Sequence, residues 1–117
     1  KIAIGCDEAA YSLKRSSLII YQTVMILNKD FGAEAGEVVL YPDVAKVVAE
    51  AVASGEFERG ILVCGTGIGM CITANKIPGI RAAVCHDPFS TERSRKSNNA
   101  QIMCMGERVI GPELAKY

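Results

Sequence analysis

A glycine-rich segment that begins with a cysteine is the part of this sequence best suited to chemistry. Residues 64–69 read CGTGIG and follow an apolar run at 60–63. Three glycines here let a ligand approach the backbone closely, and successive N–H groups at a helix start can hold an anion or an oxyanion. A thiol beside such N–H groups, as at Cys64, is favoured as a thiolate and could serve as a nucleophile or a base. The alternative interpretation is a tight turn whose glycines only satisfy backbone geometry.

The common nucleotide-binding motifs do not fit this segment. A dinucleotide fingerprint needs a further glycine at the third spacing and usually follows the first strand, whereas this segment follows a later one. A Walker loop needs Gly-Lys followed by Ser or Thr, which is missing. The spacing therefore favours neither class of nucleotide site.

Two further loops carry side chains that could take part in chemistry. Asp7 and Glu8 follow the first apolar run, and a carboxylate there could bind a substrate or cap a helix. His86, the one histidine of the chain, could act as a general acid or base, although a loop histidine is more often a capping or solvated side chain. The basic residues at 93–96 are expected on a solvated helix face, which makes Arg108 the better candidate for an anion contact.

Composition argues against several classes of protein. The 117 residues are room for one domain, and 50% of them are hydrophobic, which is enough for a core. Thirteen basic residues balance thirteen acidic ones, so we expect no general nucleic-acid or anionic-membrane surface. No apolar run approaches the roughly 20 residues of a membrane span. The chain opens on a strand-like run without the pattern of a signal peptide, which predicts a cytoplasmic protein.

The cysteines predict neither a metal site nor a disulfide framework. There are five, an odd number, none lies in a Cys-x-x-Cys pair, and the single histidine adds little to a zinc site. The chain also has enough aliphatic residues to fold without disulfides. We therefore expect the cysteines other than Cys64 to act as small buried hydrophobic residues: Cys6, Cys71, Cys85 and Cys104.

Apolar runs alternate with helical patterns along the chain. Strands are predicted at 1–6, near 24–29, and at 60–64, 81–85 and 102–105. Helices are predicted over about 10–22, from 42 to 55, at 70–76 and at 88–97, with another starting at 111–113. The alternation predicts an α/β, Rossmann-like three-layer sandwich with a mostly parallel five-stranded sheet, in a single domain over 1–117. Ligands of such sheets bind beyond the carboxyl ends of the strands, where the three loops above are expected.

Several short segments occur in a fixed order: Gly5-Cys6-Asp7, Tyr41-Pro42-Asp43, the run 60–76, the run 78–82 and the run 106–111. Together, and nearly from end to end apart from 15–28, they resemble ribose-5-phosphate isomerase type B and related isomerases of galactose, allose and tetrose phosphates. The resemblance implies a homodimer or homotetramer with active sites shared between subunits, and no metal or cofactor. It also implies an aldose–ketose isomerisation, in which a base removes the proton beside the carbonyl and an enediolate forms.

Carried over by position, the resemblance assigns roles to the candidate residues. Cys64 would be the base that moves the proton. The enediolate oxygen would be stabilised by the loop that follows: Gly65, Thr66, Gly67 and Gly69. The sugar and its phosphate would be bound by four side chains elsewhere: Asp7, Tyr41, Asn98 and Arg108.

The sequence departs from the family's pattern at two site positions. Many members have a phosphate-binding histidine where this chain has Glu8, and a carboxylate at contact distance repels a dianion by about 1 kcal/mol or more. Many also have a ring-opening histidine where this chain has Ser97, which has no proton to shuttle near neutral pH. Either His86 or Asp7 stands in, or the substrate arrives in its open form. Members usually continue further, so we expect the C-terminal helix here to be incomplete.

Ribose 5-phosphate and ribulose 5-phosphate are the expected substrate and product. Because of Glu8 and Ser97, another tetrose, pentose or hexose phosphate is the alternative. A non-catalytic sugar-phosphate-binding subunit of the same fold is a different class, against which the intact Cys64 argues. A phospho-acceptor signalling domain built on Asp7 would need paired acids and a later lysine that are missing.

Overall fold

Five parallel strands form one sheet in the computed structural model of the chain, which describes residues 2–6, 14, 28–30 and 41–116 (for 28–30, 41 and 116 the backbone alone). The strands are β1 (Ile2–Cys6), β2 (Asn28–Asp30), β3 (Arg59–Cys64), β4 (Ala82–Val84) and β5 (Ile102–Gly106). Their order is β2-β1-β3-β5-β4, and every neighbouring pair is parallel. The predicted α/β fold with a parallel five-stranded sheet is confirmed.

The helices over 41–116 lie close to their predicted positions. They are α1 (Tyr41–Ala53), α2 (Ile68–Asn75), α3 (Pro88–Lys96) and α4 (Pro112–Lys116). The helix α2 begins two residues before the prediction, because Gly67 turns the chain with a φ of 82° and the helix starts at the next residue. Of the helix predicted over 10–22, Lys14 is helical and the other residues lie outside the described part, as do 24–27 of the second strand.

The helices α1 and α2 cover one face of the sheet. Alternate strand residues, such as Ala3, Leu62 and Cys104, pack there against the apolar side of α1 in a single buried cluster. Gly5 keeps α1 close to the sheet, because a Cβ on it would lie 2.7 Å from a methyl group of Val44. The amphipathic pattern that predicted α1 therefore fixes which face of β1 and β3 it covers.

The opposite face carries the other set of alternating strand residues, against which Ile110 packs: Ile4, Cys6, Ile61, Val63 and Met105. There α3 and α4 border an apolar cavity of about 400 Å³ whose walls include Met103 and Met105.

Asp87 is the N-cap of α3. Its carboxylate accepts a hydrogen bond from the Ser90 N–H at 2.7 Å, and hydrogen bonding to Ser90 lowers the pKa of Asp87. Across the described ranges, no helix has the length and apolarity needed to cross a membrane.

The loop after β3 packs directly on the turn after β5. Cys64 and Gly106 are register partners, the Glu107 N–H donates to the Cys64 carbonyl at 2.9 Å, and the Arg108 N–H donates to the Gly65 carbonyl at 3.1 Å. A Cβ on Gly106 would lie 2.6 Å from the Thr66 backbone, a distance that real Cβ atoms do not adopt. Glycine at 106 is therefore a condition for the loop to take this path.

Replacing this glycine is expected to separate the two segments. Gly106→Ala should lower the free energy of unfolding by about 1–3 kcal/mol or more, since a methyl group must displace backbone and not a flexible side chain. Gly111→Ala is the matched control, because a Cβ there meets nothing within 4 Å. Urea unfolding of both variants measures the difference, and equal stabilities would show that the close packing at Gly106 is absent in solution.

Candidate active site

The strand order places a crevice between the ends of β1 and β3. The chain leaves β1 toward β2 at one edge of the sheet, and it leaves β3 toward β4 near the other. Connections that diverge from neighbouring strands open a crevice at their carboxyl ends, where ligands of parallel sheets bind. Cys64 ends β3 at this point. Asp7 and Glu8, which follow β1, lie outside the described residues, so their predicted roles stay predictions.

Cys64 is held by the loop that follows it. Its side chain is 6% exposed and belongs to the apolar cluster under α1 and α2. The Gly67 N–H donates a hydrogen bond to Cys64 Sγ, with 3.1 Å between nitrogen and sulfur. The left-handed backbone of Gly67 makes this contact possible, and a Cβ there would lie 3.0 Å from the carbonyl carbon of Met105. The sulfur is thus anchored at the base of the glycine loop.

The glycine loop leads into α2 and is flanked by a cation. Thr66 is exposed, and its Oγ1 accepts the Ile68 N–H at 3.2 Å. Gly69 lies in the first turn of α2, where N–H groups have no acceptor within the helix and can bind a ligand. The exposed side chain of Arg108 crosses the loop, since a Cβ on Gly65 would lie 3.7 Å from Arg108 Nη1. A thiol, backbone donors and a guanidinium therefore meet at one edge of the sheet.

His86 is placed at the same edge, with one ring nitrogen already occupied. The N–H of Gly106 donates to His86 Nε2 at 2.9 Å, so Nε2 is an acceptor and the ring proton lies on Nδ1. The ring is partly buried and borders the cavity between α3 and α4, on the face of the sheet opposite α1. This geometry suggests that His86 supports the turn that carries Arg108. It fits a role in opening a sugar ring less well, because Nε2 is already hydrogen-bonded.

Ser97 and Asn98 lie at the opposite edge of the sheet. Ser97 is the C-cap of α3, which runs back from the carboxyl end of β4 to the amino end of β5. Ala100 and Gln101, which follow, bond backbone groups of Ser94 and Arg81 at that amino end. One chain therefore does not bring the predicted residues Ser97 and Asn98 to Cys64. Both are exposed, as a contact with a second copy would require.

Tyr41 is the remaining predicted site residue, and the sequence also predicts that the protein has no metal site. Tyr41 begins α1 at the carboxyl edge, and its side chain is not among those described. Within the described ranges, no group of three or more His, Cys, Asp or Glu side chains could hold a metal ion.

Gly106 is the site residue that sequence analysis missed. The sequence showed Gly106 only as the first residue of the run 106–111, and a glycine directly after a core strand was the available signal.

Comparisons with known proteins agree with this geometry. A model of the ribose/galactose isomerase family matches residues 2–117. The chain is 57% identical over 115 residues to ribose-5-P isomerase B of Listeria innocua, covering 98% of this chain and 78% of the relative. It is 55% identical over 116 residues to D-erythrulose-4-phosphate isomerase of Pectobacterium atrosepticum, covering 98% and 76%. The solved ribose-5-phosphate isomerase B of Clostridium thermocellum superposes with a TM-score of 0.95 at 49% identity, covering 97% and 77%.

The fold, the glycine loop and these matches together define a sugar-phosphate isomerase of the aldose–ketose class. The chain belongs to the ribose/galactose isomerase family. The resemblance noted in the sequence is thereby confirmed for the family and the fold, over nearly the whole chain.

A substitution of His86 tests its role as a support. His86→Ala removes the acceptor of the Gly106 N–H and should lower kcat/KM about 10-fold, by equal factors for cyclic and open-chain sugar phosphates. His86→Gln offers a carbonyl oxygen to the same N–H and should recover most of the loss. A larger loss for cyclic substrates than for open-chain ones would instead assign the imidazole to ring opening.

Proposed function

We propose that the protein interconverts ribose 5-phosphate and ribulose 5-phosphate, with Cys64 as the base that moves the proton. The observation that carries the proposal is the position of Cys64 Sγ, which receives the Gly67 N–H at 3.1 Å at the end of a central strand. Loop amides and the Arg108 guanidinium lie beside it. In this proposal the thiol is the base, the amides are the donors to the oxyanion, and the guanidinium binds the phosphate, all at one edge of the sheet.

The reaction moves one proton between neighbouring carbons. Cys64 as thiolate removes the proton from C2 of the aldose, and the electron pair forms a C1–C2 double bond while negative charge develops on the O1 oxygen. Backbone N–H groups of the loop, together with Thr66, stabilise that oxygen, because their dipoles are already oriented before charge appears. The thiol proton exchanges with solvent during the lifetime of the enediolate, the thiol then returns a proton to C1, and a proton passes from O2 to O1 to give the ketose.

Arg108 binds the phosphate in this proposal. Its guanidinium is exposed, and its backbone N–H is tied to the Gly65 carbonyl, so the side chain starts from a fixed point. A guanidinium can donate two parallel hydrogen bonds to a phosphate, which gives both affinity and orientation. Glu8 would weaken this site wherever it comes within contact distance of the dianion.

We further propose that two subunits complete each active site. Ser97 and Asn98 lie at the amino edge of their own sheet, far from the carboxyl edge that carries Cys64. If these two residues serve the same site as Cys64, they come from another copy of the chain, in a symmetric homodimer or a larger homo-oligomer. Asn98 would then hydrogen-bond the sugar held above the partner's glycine loop.

A four-carbon sugar phosphate is the second candidate substrate, and Ser97 is the observation that favours it. A tetrose 4-phosphate carries its phosphate on O4, so it cannot close a five-membered ring and needs no group to open one. His86 is the single histidine, and its Nε2 is bound to the Gly106 N–H. The 55% identical Pectobacterium protein is a D-erythrulose-4-phosphate isomerase. Values of kcat/KM for four- and five-carbon substrates distinguish the two candidates.

The role of Cys64 is tested by a change of sulfur to oxygen. Cys64→Ser keeps an acceptor for the Gly67 N–H but removes the base, so turnover should fall by about 10²–10⁴-fold. Ribitol 5-phosphate, which lacks a carbonyl, should still raise the Tm of the variant. Cys71→Ser is the matched control, as a thiol outside the loop. Near-normal turnover of Cys64→Ser would rule out the assigned base.

The shared site is tested by mixing two inactive variants. Cys64→Ser and Asn98→Ala subunits, unfolded and refolded together at equal amounts, should recover about a quarter of wild-type activity, because only hybrid dimers contain one intact site. Refolding each variant alone is the control. No recovery, with hybrid dimers shown to form, would place Asn98 and Cys64 in the same chain's site, and an Asn98→Ala protein that is active alone would remove Asn98 from the site.

A further inference from the structure

The turn that follows α3 is hydrogen-bonded on three sides at Asn99. The Asn99 N–H donates to the Arg95 carbonyl at 3.2 Å, its Oδ1 accepts from Arg95 Nη1 at 3.1 Å, and its carbonyl accepts from Arg81 Nε at 3.3 Å. The same Arg95 Nη1 also donates to the Ala100 carbonyl. Asn99 has a φ of 51°, in the left-handed region that asparagine tolerates better than most residues. The turn therefore has one defined conformation.

Gln101 fixes the point from which the Arg81 side chain starts. The Gln101 N–H donates to the Arg81 carbonyl at 2.9 Å, and Gln101 Oε1 accepts the Arg81 N–H at 2.8 Å. Gln101 Nε2 donates to the Gly79 carbonyl at 2.9 Å, which ties the segment before β4 to the segment before β5. Two arginines from different elements, Arg81 before β4 and Arg95 on α3, therefore converge on Asn99.

The exposure of these residues indicates that their contacts add order and little stability. Arg81, Arg95 and Asn99 are all exposed. Hydrogen bonds at exposed positions contribute little to the free energy of unfolding, because water competes for the same groups. Asn98 is exposed as well, and within the described ranges its side-chain amide has no hydrogen-bond partner. A free amide on an ordered turn is the arrangement expected of a residue that binds a ligand.

We propose that Arg95 is a positioning residue for the isomerisation, which holds Asn99 and thereby directs the Asn98 amide toward the sugar. This inference rests on the proposed function, in which Asn98 of one subunit binds the sugar in the site of another. Both neighbours of Asn98 are fixed, because the Ser97 N–H donates to the Arg93 carbonyl at 2.8 Å and Asn99 is held by the two arginines. Arg95 does not touch the substrate and acts through Asn98.

Loss of the Arg95 guanidinium leaves Asn98 present but badly placed. The Asn99 side chain and the Ala100 carbonyl then turn to water, and the backbone of 97–99 samples several conformations. A misplacement of about 1 Å can lower a rate about 100-fold. Arg95 also lies in the last turn of α3, where a positive charge stabilises the end of a helix. A residue that only stabilised the helix end would affect unfolding and leave turnover unchanged.

Substitutions of two arginines on the same helix test the proposal. Arg95→Ala should lower kcat/KM about 10- to 100-fold, with whichever four- or five-carbon sugar phosphate the wild type converts faster. Its Tm should stay within a few degrees of the wild-type value. Arg93→Ala is the matched control and should keep the wild-type kcat/KM, because its guanidinium lies against the Glu92 carboxylate at 3.8 Å. Equal kcat/KM for the two variants would overturn the proposal.

A pair of substitutions at Asn99 separates placement from a general loss of structure. Asn99→Asp keeps an oxygen for Arg95 Nη1 and tolerates the left-handed backbone, so it should retain most of the wild-type kcat/KM. Asn99→Leu is similar in size, but it lacks the acceptor and disfavours that backbone. It should lower kcat/KM about as much as Arg95→Ala does. Equal activities of the two Asn99 variants would contradict the role of the Arg95–Asn99 hydrogen bond.

A double variant distinguishes failure of this proposal from failure of the proposed function. Since Arg95 acts through Asn98, adding Arg95→Ala to Asn98→Ala should lower the residual kcat/KM, measured at high enzyme concentration, by no more than about twofold. A further loss as large as that of Arg95→Ala in the wild-type background would overturn this proposal alone. Wild-type activity of Asn98→Ala would remove Asn98 from the site, and would end both this proposal and the shared site that includes Asn98.

Discussion

The contact of backbone against backbone between the loop after β3 and the turn after β5 is the constraint on which the site depends. Gly106 is the residue that permits it, since even a methyl group there would lie 2.6 Å from the Thr66 backbone. Two hydrogen bonds, from the N–H groups of Glu107 and Arg108, fasten the turn to the carbonyls of Cys64 and Gly65. One interaction therefore sets the path of the glycine loop, the position of Cys64 Sγ and the starting point of the Arg108 side chain.

The parallel sheet explains both what one chain provides and what it lacks. Strands that run the same way bring Cys64, His86 and Arg108 to one edge, because each lies at or just after the carboxyl end of its strand. The same topology returns α3 to the other edge, and so carries Ser97 and Asn98 away. In the proposed homo-oligomer, a second copy of the chain would resolve this separation without any change in the fold, which is why the crossovers favour shared sites.

Sequence predicted β1, β3, β4 and β5 well because they lie in continuous apolar runs, and it placed α1 because Pro42 and Gly55 bound a clear apolar stripe. Site predictions were less complete. Spacing along the chain did not show that α3 ends at the amino edge of the sheet, where it places Ser97 away from Cys64. The Nε2 contact of His86 with Gly106 joins residues 20 positions apart and has no local signal.

The central claim is that Cys64 carries a carbon-bound hydrogen through an enediolate, and isomerisation in deuterium oxide tests it most directly. Ribose 5-phosphate, recovered at partial conversion and examined by proton NMR, should have lost signal at C2, and the ketose should contain deuterium at C1. The Cys64→Ser protein should leave both positions protonated over the same time. Product formed by the wild type with full retention of the substrate hydrogen, or exchange by Cys64→Ser at the wild-type rate, would contradict the account.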